Sequence, residues 1–376
     1  MSMKKIIVLG AGMVGRAIAI DLAQRYDVTA ADIDRQALAR LPANVITVTI
    51  DLSRPDTIRE LILNSDLVIG AVPGFLGFQT LKTVIECEKN IVDISFFPED
   101  PFQLDALAQQ KSVTAVIDCG VAPGMCNMLL GYHNARMKVE SYACLVGGLP
   151  VKRSWPYQYK ATFSPIDVIE EYTRPARYVE NGRLITREAL SDSEYMEFDE
   201  IGTLEAFNTD GLRSLLRTMR ISNMREKTLR YPGHIEYIKV LRETGFFSKE
   251  PIDMNGTEVS PLDVTTRLLF PKWKLEPDEP EFTVMRVIIQ GVEDGQRKEY
   301  VYELLDRFDQ KTKTSSMART TGYTCTAVAT LVLEDLFTQK GIVPPEYVGA
   351  EERCYRAVLD YQKERSISYR LIERES

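Results

Sequence analysis

The stretch Lys5-Ile6-Ile7-Val8-Leu9-Gly10-Ala11-Gly12-Met13-Val14-Gly15 decides the fold. Its first five residues are mostly branched and apolar, which predicts a buried strand. A G-x-G-x-x-G turn follows and opens onto a helix whose apolar positions are Ala17, Ile18, Ile20, Leu22 and Ala23. Asp32 closes the next apolar run 22 positions after Gly10. That setting is what a dinucleotide-binding turn requires. Gly10 allows the tight turn, Gly12 lets backbone amides approach a pyrophosphate, and Gly15 lets the helix pack closely on the strand. The helix N-terminus adds partial positive charge for the phosphates. Asp32 would accept hydrogen bonds from a ribose 2′-hydroxyl and repel a 2′-phosphate, which favours NAD over NADP, although Arg35 stands close by.

Further along, strands are predicted at residues 28–31, 45–50, 67–70, 91–94 and 114–117, with helical spacing at 55–64, 77–89 and 101–111. Strands alternating with helices imply crossover connections and a parallel sheet. The fold class is therefore α/β: an N-terminal Rossmann-type parallel sheet over residues 1–123. Ligands bind such sheets at the carboxyl ends of the strands. Contacts to the coenzyme are accordingly expected from Gly10, Gly12, Met13, Val14 and Gly15. Others are expected from Asp32 and Ile33, from Asp51 and Leu52, from Ala71, Val72 and Pro73, and from Ser95. Asp51 has two readings, a partner for the adenine amino group or a cap ahead of Pro55. Ser95 also reads as a simple turn hydroxyl.

Lys plus Arg is 46 and Asp plus Glu is 54, a formal charge of −8. An acidic chain is a poor partner for phosphate backbones, so no nucleic acid is expected. Apolar residues make up 44%, enough to fill a core. The apolar runs are far short of the ~20 residues a membrane span needs, and no signal-peptide core is visible, so no membrane association is expected. The six cysteines are scattered without a Cys-x-x-Cys pair, which fits reduced thiols in a cytoplasmic protein. The only histidines are His133 and His234, and no metal-ligand cluster or Walker-type loop appears. No Tyr is followed by Lys four residues on, so that catalytic pair is absent.

After residue 134 the βα rhythm stops. Residues 139–148 read as one long strand. Asn181-Gly182 predicts a hairpin turn, and Glu293-Asp294-Gly295 between residues 282–290 and 298–305 predicts another. Helical pieces are expected at 212–219 and 235–244. This gives an α+β substrate and oligomerisation domain over residues 124–314, with a mixed or antiparallel sheet. Residues 315–376 read as C-terminal helices packing back on the first domain: a buried helix over 320–338 that Gly341 ends as a C′ glycine, then an amphipathic helix over 351–363. Exposed strands of the middle domain predict a homo-oligomer.

Several blocks give the chain a family resemblance. Val8 to Gly15 opens it. Asp118-Cys119-Gly120-Val121-Ala122-Pro123-Gly124, Gly147-Gly148-Leu149-Pro150 and Asn208-Thr209-Asp210-Gly211-Leu212-Arg213 continue it. Lys227-Thr228-Leu229-Arg230-Tyr231-Pro232-Gly233-His234 is the most restrictive, and Ser316-Met317-Ala318-Arg319-Thr320-Thr321-Gly322-Tyr323 follows. These resemble the saccharopine dehydrogenase-like family, and within it the lysine 6-dehydrogenase branch. The resemblance implies NAD(P)-dependent oxidation at a carbon–nitrogen bond of an amino acid. For the lysine branch, a hydride leaves the ε-carbon, and water then releases ammonia and a semialdehyde. Two readings compete: cleavage of the secondary amine of saccharopine, and a nucleotide-binding regulatory protein without turnover.

Hydride leaves such a carbon only when nitrogen can donate its lone pair, so an ammonium with a pKa near ~10.4 must first lose a proton. Asp118, at the end of the sixth strand, and His234, in its Tyr-Pro-Gly-His loop, are the acid–base candidates. Asp118 reads equally as a brace for the turn, and His234 as a histidine satisfied by backbone groups. Arg213 and Arg230 suit a bidentate grip on an α-carboxylate, with Tyr231 beside them and Cys119 lining the pocket or filling the core.

Overall fold

A computed structural model describes residues 3–276 and 278–375. They form two compact units, one running through Met137 and taking back Met317–Ser368, the other holding Lys138–Ser316 and the chain from Tyr369.

The first unit is built on a seven-stranded parallel sheet. Across it lie Gly341–Val343, Thr114–Val116, Ile91–Asp93, Leu67–Gly70, Lys5–Leu9, Asp27–Asp32 and Ile46–Thr49. The order runs one way from the opening strand, then reverses at Leu67–Gly70. That reversal leaves a crevice at the carboxyl end of Lys5–Leu9, the position where open α/β sheets take ligands. The central strands carry branched apolar residues with both faces covered: Lys5–Leu9 and Leu67–Gly70 are buried apart from Lys5. Ile7, Leu9, Val68, Leu81, Val84 and Ile85 pack into one core cluster with Leu52.

Two sequence expectations are corrected here. The late helix spans Ser316–Leu333, and Gly341 does not end it. Gly341 opens a seventh strand that pairs with Thr114–Val116. Its φ of +104° suits a glycine in either role. The expected helix over 212–219 is only Leu215–Thr218.

The division also falls differently from 123/124 and 314/315. The helix Met125–Asn134 belongs to the first unit, because it lies backbone to backbone against Pro345–Ala350. A Cβ on Gly131 would stand 2.0 Å from the Glu346 carbonyl oxygen, and one on Gly349 2.1 Å from that of Met128. Such contact needs glycine on both helices. The tail leaves the first unit, since Arg370–Glu375 pairs with Gln296–Arg307. The returning helices are tied down by Asp21 on Met13–Leu22. Its buried carboxylate accepts from Thr326 Oγ1, Tyr361 Oη and Arg365 Nε, each at 2.7 Å.

The second unit carries a mixed sheet. Its order is Glu194–Phe198, Gly202–Asn208, Asn223–Arg230, Lys138–Pro150, Glu281–Glu293, Gln296–Arg307 and Arg370–Glu375, with the ribbon Ala176–Glu180 and Arg183–Arg187 at its side. Neighbours run antiparallel except Asn223–Arg230 beside Lys138–Pro150. Helices Pro165–Thr173, His234–Glu243 and Pro261–Trp273 contribute to one apolar cluster with Phe207, Leu229 and Phe282. No helix among the described residues is long and apolar enough to cross a membrane.

Candidate functional site

In the first unit the three glycines of the opening turn have distinct surroundings. Gly10 has φ +106°, and a Cβ there would lie 2.2 Å from the Ala71 carbonyl oxygen. A Cβ on Gly15 would lie 2.2 Å from the Gly10 carbonyl oxygen. A Cβ on Gly12 would meet nothing within 4 Å. Gly10 and Gly15 therefore let strand, turn and helix close up, while Gly12 faces open space. Gly12 caps the helix Met13–Leu22 without a side chain, and Met13 and Val14 in its first turn are partly exposed. A cradle with bare backbone and the positive end of a helix fits a pyrophosphate.

Asp32 clasps this turn. Its carboxylate accepts the Ala11 amide at 2.6 Å and the Asp34 amide at 2.9 Å, so one side chain fixes both the glycine turn and the exit from its strand. Each oxygen retains a lone pair for a ribose hydroxyl. Ile33 beside it is 67% exposed, an apolar surface suited to one face of a base. Asp51 is half-buried, and its Oδ1 accepts the amide and hydroxyl of Ser53 at 2.9 and 2.6 Å. These bonds hold its carboxyl below the usual range. The same bonds form a turn ahead of Pro55–Ile62 and involve only Oδ1. Leu52 packs into the core cluster. Ala71 and Val72 follow Leu67–Gly70, and Pro73 caps the helix Gly74–Glu86.

Ser95, Asp118 and Cys119 lie at the next two strand ends. Ser95 is buried, its amide and hydroxyl bound to Asp93 at 2.8 and 3.3 Å. Asp93 is the residue that sequence reading missed. It is fully buried, its Oδ2 would lie 1.8 Å from a Cβ on Gly70, and its carbonyl accepts the Cys119 amide at 2.9 Å. An acid ending one strand, two residues ahead of Ser95 and opposite a glycine on the next strand, was the available signal. Asp118 is buried at 3% exposure with φ +51°, backbone strain that packing must hold in place. The Cys119 thiol is wholly buried, and desolvation, with Asp93 and Asp118 nearby, raises its pKa far above the ordinary thiol range, so it is not a thiolate.

In the second unit Arg230 is 2% exposed. Its Nε donates to Tyr172 Oη at 2.9 Å, its Nη1 to the Leu229 carbonyl at 3.0 Å and its Nη2 to Glu171 at 2.9 Å. The guanidinium lies 4.5 Å over the Tyr159 ring. Burial raises the Glu171 carboxyl against the opposing pull of Arg230. His234 is also buried, with Nδ1 2.9 Å from the Tyr157 carbonyl and Nε2 3.0 Å from Tyr172 Oη. Desolvation, then the neighbouring Arg230 charge, lowers it to about 3. An imidazole so placed is neutral at physiological pH and a weak base. Tyr231 donates its hydroxyl to the Pro150 carbonyl at 2.9 Å, under the Arg153 guanidinium 3.9 Å from its ring.

Arg213 is half-buried with φ +43° and lies close enough to Arg174 to push the latter's pKa down, after burial. Arg177 grips Asp210 through two bonds of 2.8 and 2.9 Å. The geometry thus gathers Arg230 and His234 with Tyr157, Tyr159, Tyr172, Glu171 and Trp273, while the Tyr231 side chain turns to Pro150 and Arg153; Tyr159, Tyr172, Glu171 and Trp273 had no place in the sequence reading.

Comparison with known proteins agrees with this architecture. The saccharopine dehydrogenase NADP binding domain model matches residues 6–116, and the saccharopine dehydrogenase C-terminal domain model matches residues 120–367. Mitochondrial alpha-aminoadipic semialdehyde synthase of Rattus norvegicus is 25% identical over 281 residues, covering 69% of this chain and 30% of that one. The chain thus spans under a third of that relative's length. The NADP(+)-dependent, L-glutamate-forming saccharopine dehydrogenase of Pyricularia oryzae is 23% identical over 314 residues, covering 79% of this chain and 70% of its own. Apo saccharopine dehydrogenase (L-Glu forming) from Saccharomyces cerevisiae superposes with a TM-score of 0.79 at 19% identity, covering 99% of this chain and 100% of that one. That likeness is one of fold.

Proposed function

This chain belongs to the saccharopine dehydrogenase family, and from that premise we propose that it oxidises a carbon–nitrogen bond of an amino-acid substrate with a nicotinamide coenzyme. The observation that carries the reading is the bare turn at Gly12, clasped by Asp32 at the point where the strand order reverses. Gly12, Met13 and Val14 would hold the pyrophosphate and Asp32 the adenosine ribose. The coenzyme, when bound, supplies the hydride acceptor. NAD is the preferred form, because the fixed Asp32 carboxylate repels a 2′-phosphate. The matched family model is named for NADP, so both forms enter the test.

L-Lysine is the substrate we favour, oxidised at its ε-carbon. Saccharopine presents three carboxylates and L-lysine one. Two arginines that such anions would seek already face carboxylates of this chain at close range: Arg177 with Asp210 at 2.8 Å and Arg230 with Glu171 at 2.9 Å. Part of their positive charge is offset before a substrate arrives, which suits one incoming carboxylate better than three. Arg230 keeps two of its five N–H donors for that carboxylate, and Arg213 is the further arginine candidate. Asp118 would take the proton from the substrate ammonium, freeing the nitrogen lone pair. The names of the relatives favour saccharopine as the second reading.

Initial rates with L-lysine and with saccharopine, each with NAD and with NADP, decide between them by the rise of reduced-nicotinamide absorbance. The proposal expects L-lysine with NAD to be turned over fastest. Turnover of saccharopine alone replaces it by the second reading. Coenzyme binding with no amine turned over removes both and leaves a regulatory nucleotide-binding protein. Asp118→Asn should lower kcat at least a hundredfold while leaving the coenzyme Kd within about twofold, because a general base contributes roughly 10²–10⁴ in rate.

A further inference from the structure

The line of hydrogen bonds that ends on Arg230 begins in an irregular segment of the second unit, residues 151–164. Tyr157 lies in that segment and offers its carbonyl to His234 Nδ1 at 2.9 Å. His234 opens the helix His234–Glu243, and its Nε2 lies 3.0 Å from Tyr172 Oη on the helix Pro165–Thr173. Tyr172 Oη in turn receives Arg230 Nε at 2.9 Å. Elementary chemistry sets every proton in this line. A carbonyl oxygen only accepts, so Nδ1 carries the hydrogen. An imidazole buried beside a guanidinium stays neutral, so Nε2 keeps its lone pair. Tyr172 therefore donates to Nε2 and accepts from Arg230.

We propose that His234, acting through Tyr172, is the positioning residue for Arg230: it fixes the plane in which that guanidinium receives the carboxylate of the amino-acid substrate. This rests on the reading of Arg230 as the carboxylate grip. A guanidinium held only at Nη1 and Nη2 can still rock about its long side chain, and the Nε contact removes that freedom. Tyr172 can fill this role in one orientation only, with its proton on the histidine side, and a neutral Nδ1–H imidazole enforces that orientation. The same cluster keeps a donor in reserve. Trp273 meets the rings of Tyr159 and Tyr172 edge-on at 5.6 and 6.3 Å, and its buried Nε1 has no hydrogen-bond partner. A carboxylate oxygen would satisfy it.

The chain has two histidines, so ¹H–¹⁵N long-range correlation of imidazoles reads this site directly once His133→Gln identifies the other. The expected spectrum shows His234 as the neutral Nδ1–H tautomer from about pH 6 to 8, with its Nε2 resonance displaced in Tyr172→Phe. An Nε2–H tautomer, or an imidazolium at neutral pH, overturns the proposal.

Steady-state kinetics with whichever of L-lysine and saccharopine is turned over supply the second readout. His234→Asn retains a donor to the Tyr157 carbonyl and loses the acceptor for Tyr172, whereas His234→Gln places an amide oxygen near the Nε2 position. The Asn variant should raise the KM for that substrate about tenfold, with the smaller change in kcat, and the Gln variant should recover most of it. Equal KM values for the two variants, or a shifted pH–rate profile in the Gln variant, overturn the proposal. If wild-type protein turns over neither amine, the functional reading falls, and the tautomer alone then decides whether the hydrogen-bond line exists as drawn.

Discussion

Burying a neutral histidine makes folding sensitive to mild acid, and the size of the effect follows from the surroundings of His234. Its imidazole titrates at about 3 in the folded protein against 6.5 in an unfolded chain. The folded-state value is the lower one, so the native state binds fewer protons wherever pH lies below 6.5. Stability is therefore complete above about pH 6.5 and is lost as pH falls towards 3. Between pH 7.5 and 5.0 the unfolded imidazole gains nearly a full proton and the native one almost none, which amounts to a loss of about 2 kcal/mol. His234→Gln removes this titration and leaves all other groups in place. Wild type and variant should thus differ in stability by about 2 kcal/mol less at pH 5.0 than at pH 7.5. Urea unfolding followed by tryptophan fluorescence suits the measurement, because the only two tryptophans, Trp155 and Trp273, both lie in the second unit. With a urea slope of roughly 2 kcal/mol per molar, the gap between midpoints should narrow by about 1 M. A gap that stays constant across the two pH values would refute the burial of a neutral imidazole.

The glycine turn gives a paired test: Gly12→Ala should fold with wild-type stability and weaken NAD binding at least tenfold. Gly10→Ala, strained at φ +106° and 2.2 Å from the Ala71 carbonyl, should lower the thermal midpoint before any binding is measured. Equal stability of the two variants would sink the assignment of separate roles. Asp32→Ala should weaken NAD binding and narrow its advantage over NADP, as read by titration of both coenzymes; an unchanged preference counts against Asp32 as the ribose acceptor. Asp21→Ala leaves the Arg365 guanidinium and the Tyr361 hydroxyl without their shared acceptor, and should destabilise the first unit by about 3 kcal/mol in hydrogen-exchange protection.

The parts of the fold that could be read from the chain are those where cause and effect are neighbours in sequence. A strand, a glycine turn and a helix start follow one another within Lys5–Gly15, and Asp32 closes the very next strand, so turn chemistry alone announces the crevice. The strand Gly341–Val343 could not be read this way. It is three residues long, and what makes it a strand is a partner, Thr114–Val116, more than 220 positions earlier. The same holds for the helix Met125–Asn134. Its sequence neighbours suggested the middle domain, but the close glycine contacts with Pro345–Ala350 place it in the first unit.

Arg230 and His234 stood out in the sequence because they share one short block, and a histidine in a tight loop invites assignment as a base. The packing assigns it otherwise. The groups that decide its chemistry, the Tyr157 carbonyl and the Tyr172 hydroxyl, lie 77 and 62 residues away, in the irregular segment 151–164 and on the helix Pro165–Thr173. Burial beside a fixed guanidinium strips the imidazole of basicity, and both ring nitrogens are engaged. Such an imidazole is a poor acceptor for a substrate proton at physiological pH. Of the two acid–base candidates, the proposed base is therefore Asp118, buried at 3% exposure with φ +51°. The packing that takes His234 out of proton transfer instead lets it hold Tyr172, and through Tyr172 the Nε edge of Arg230, which is the positioning role proposed for it.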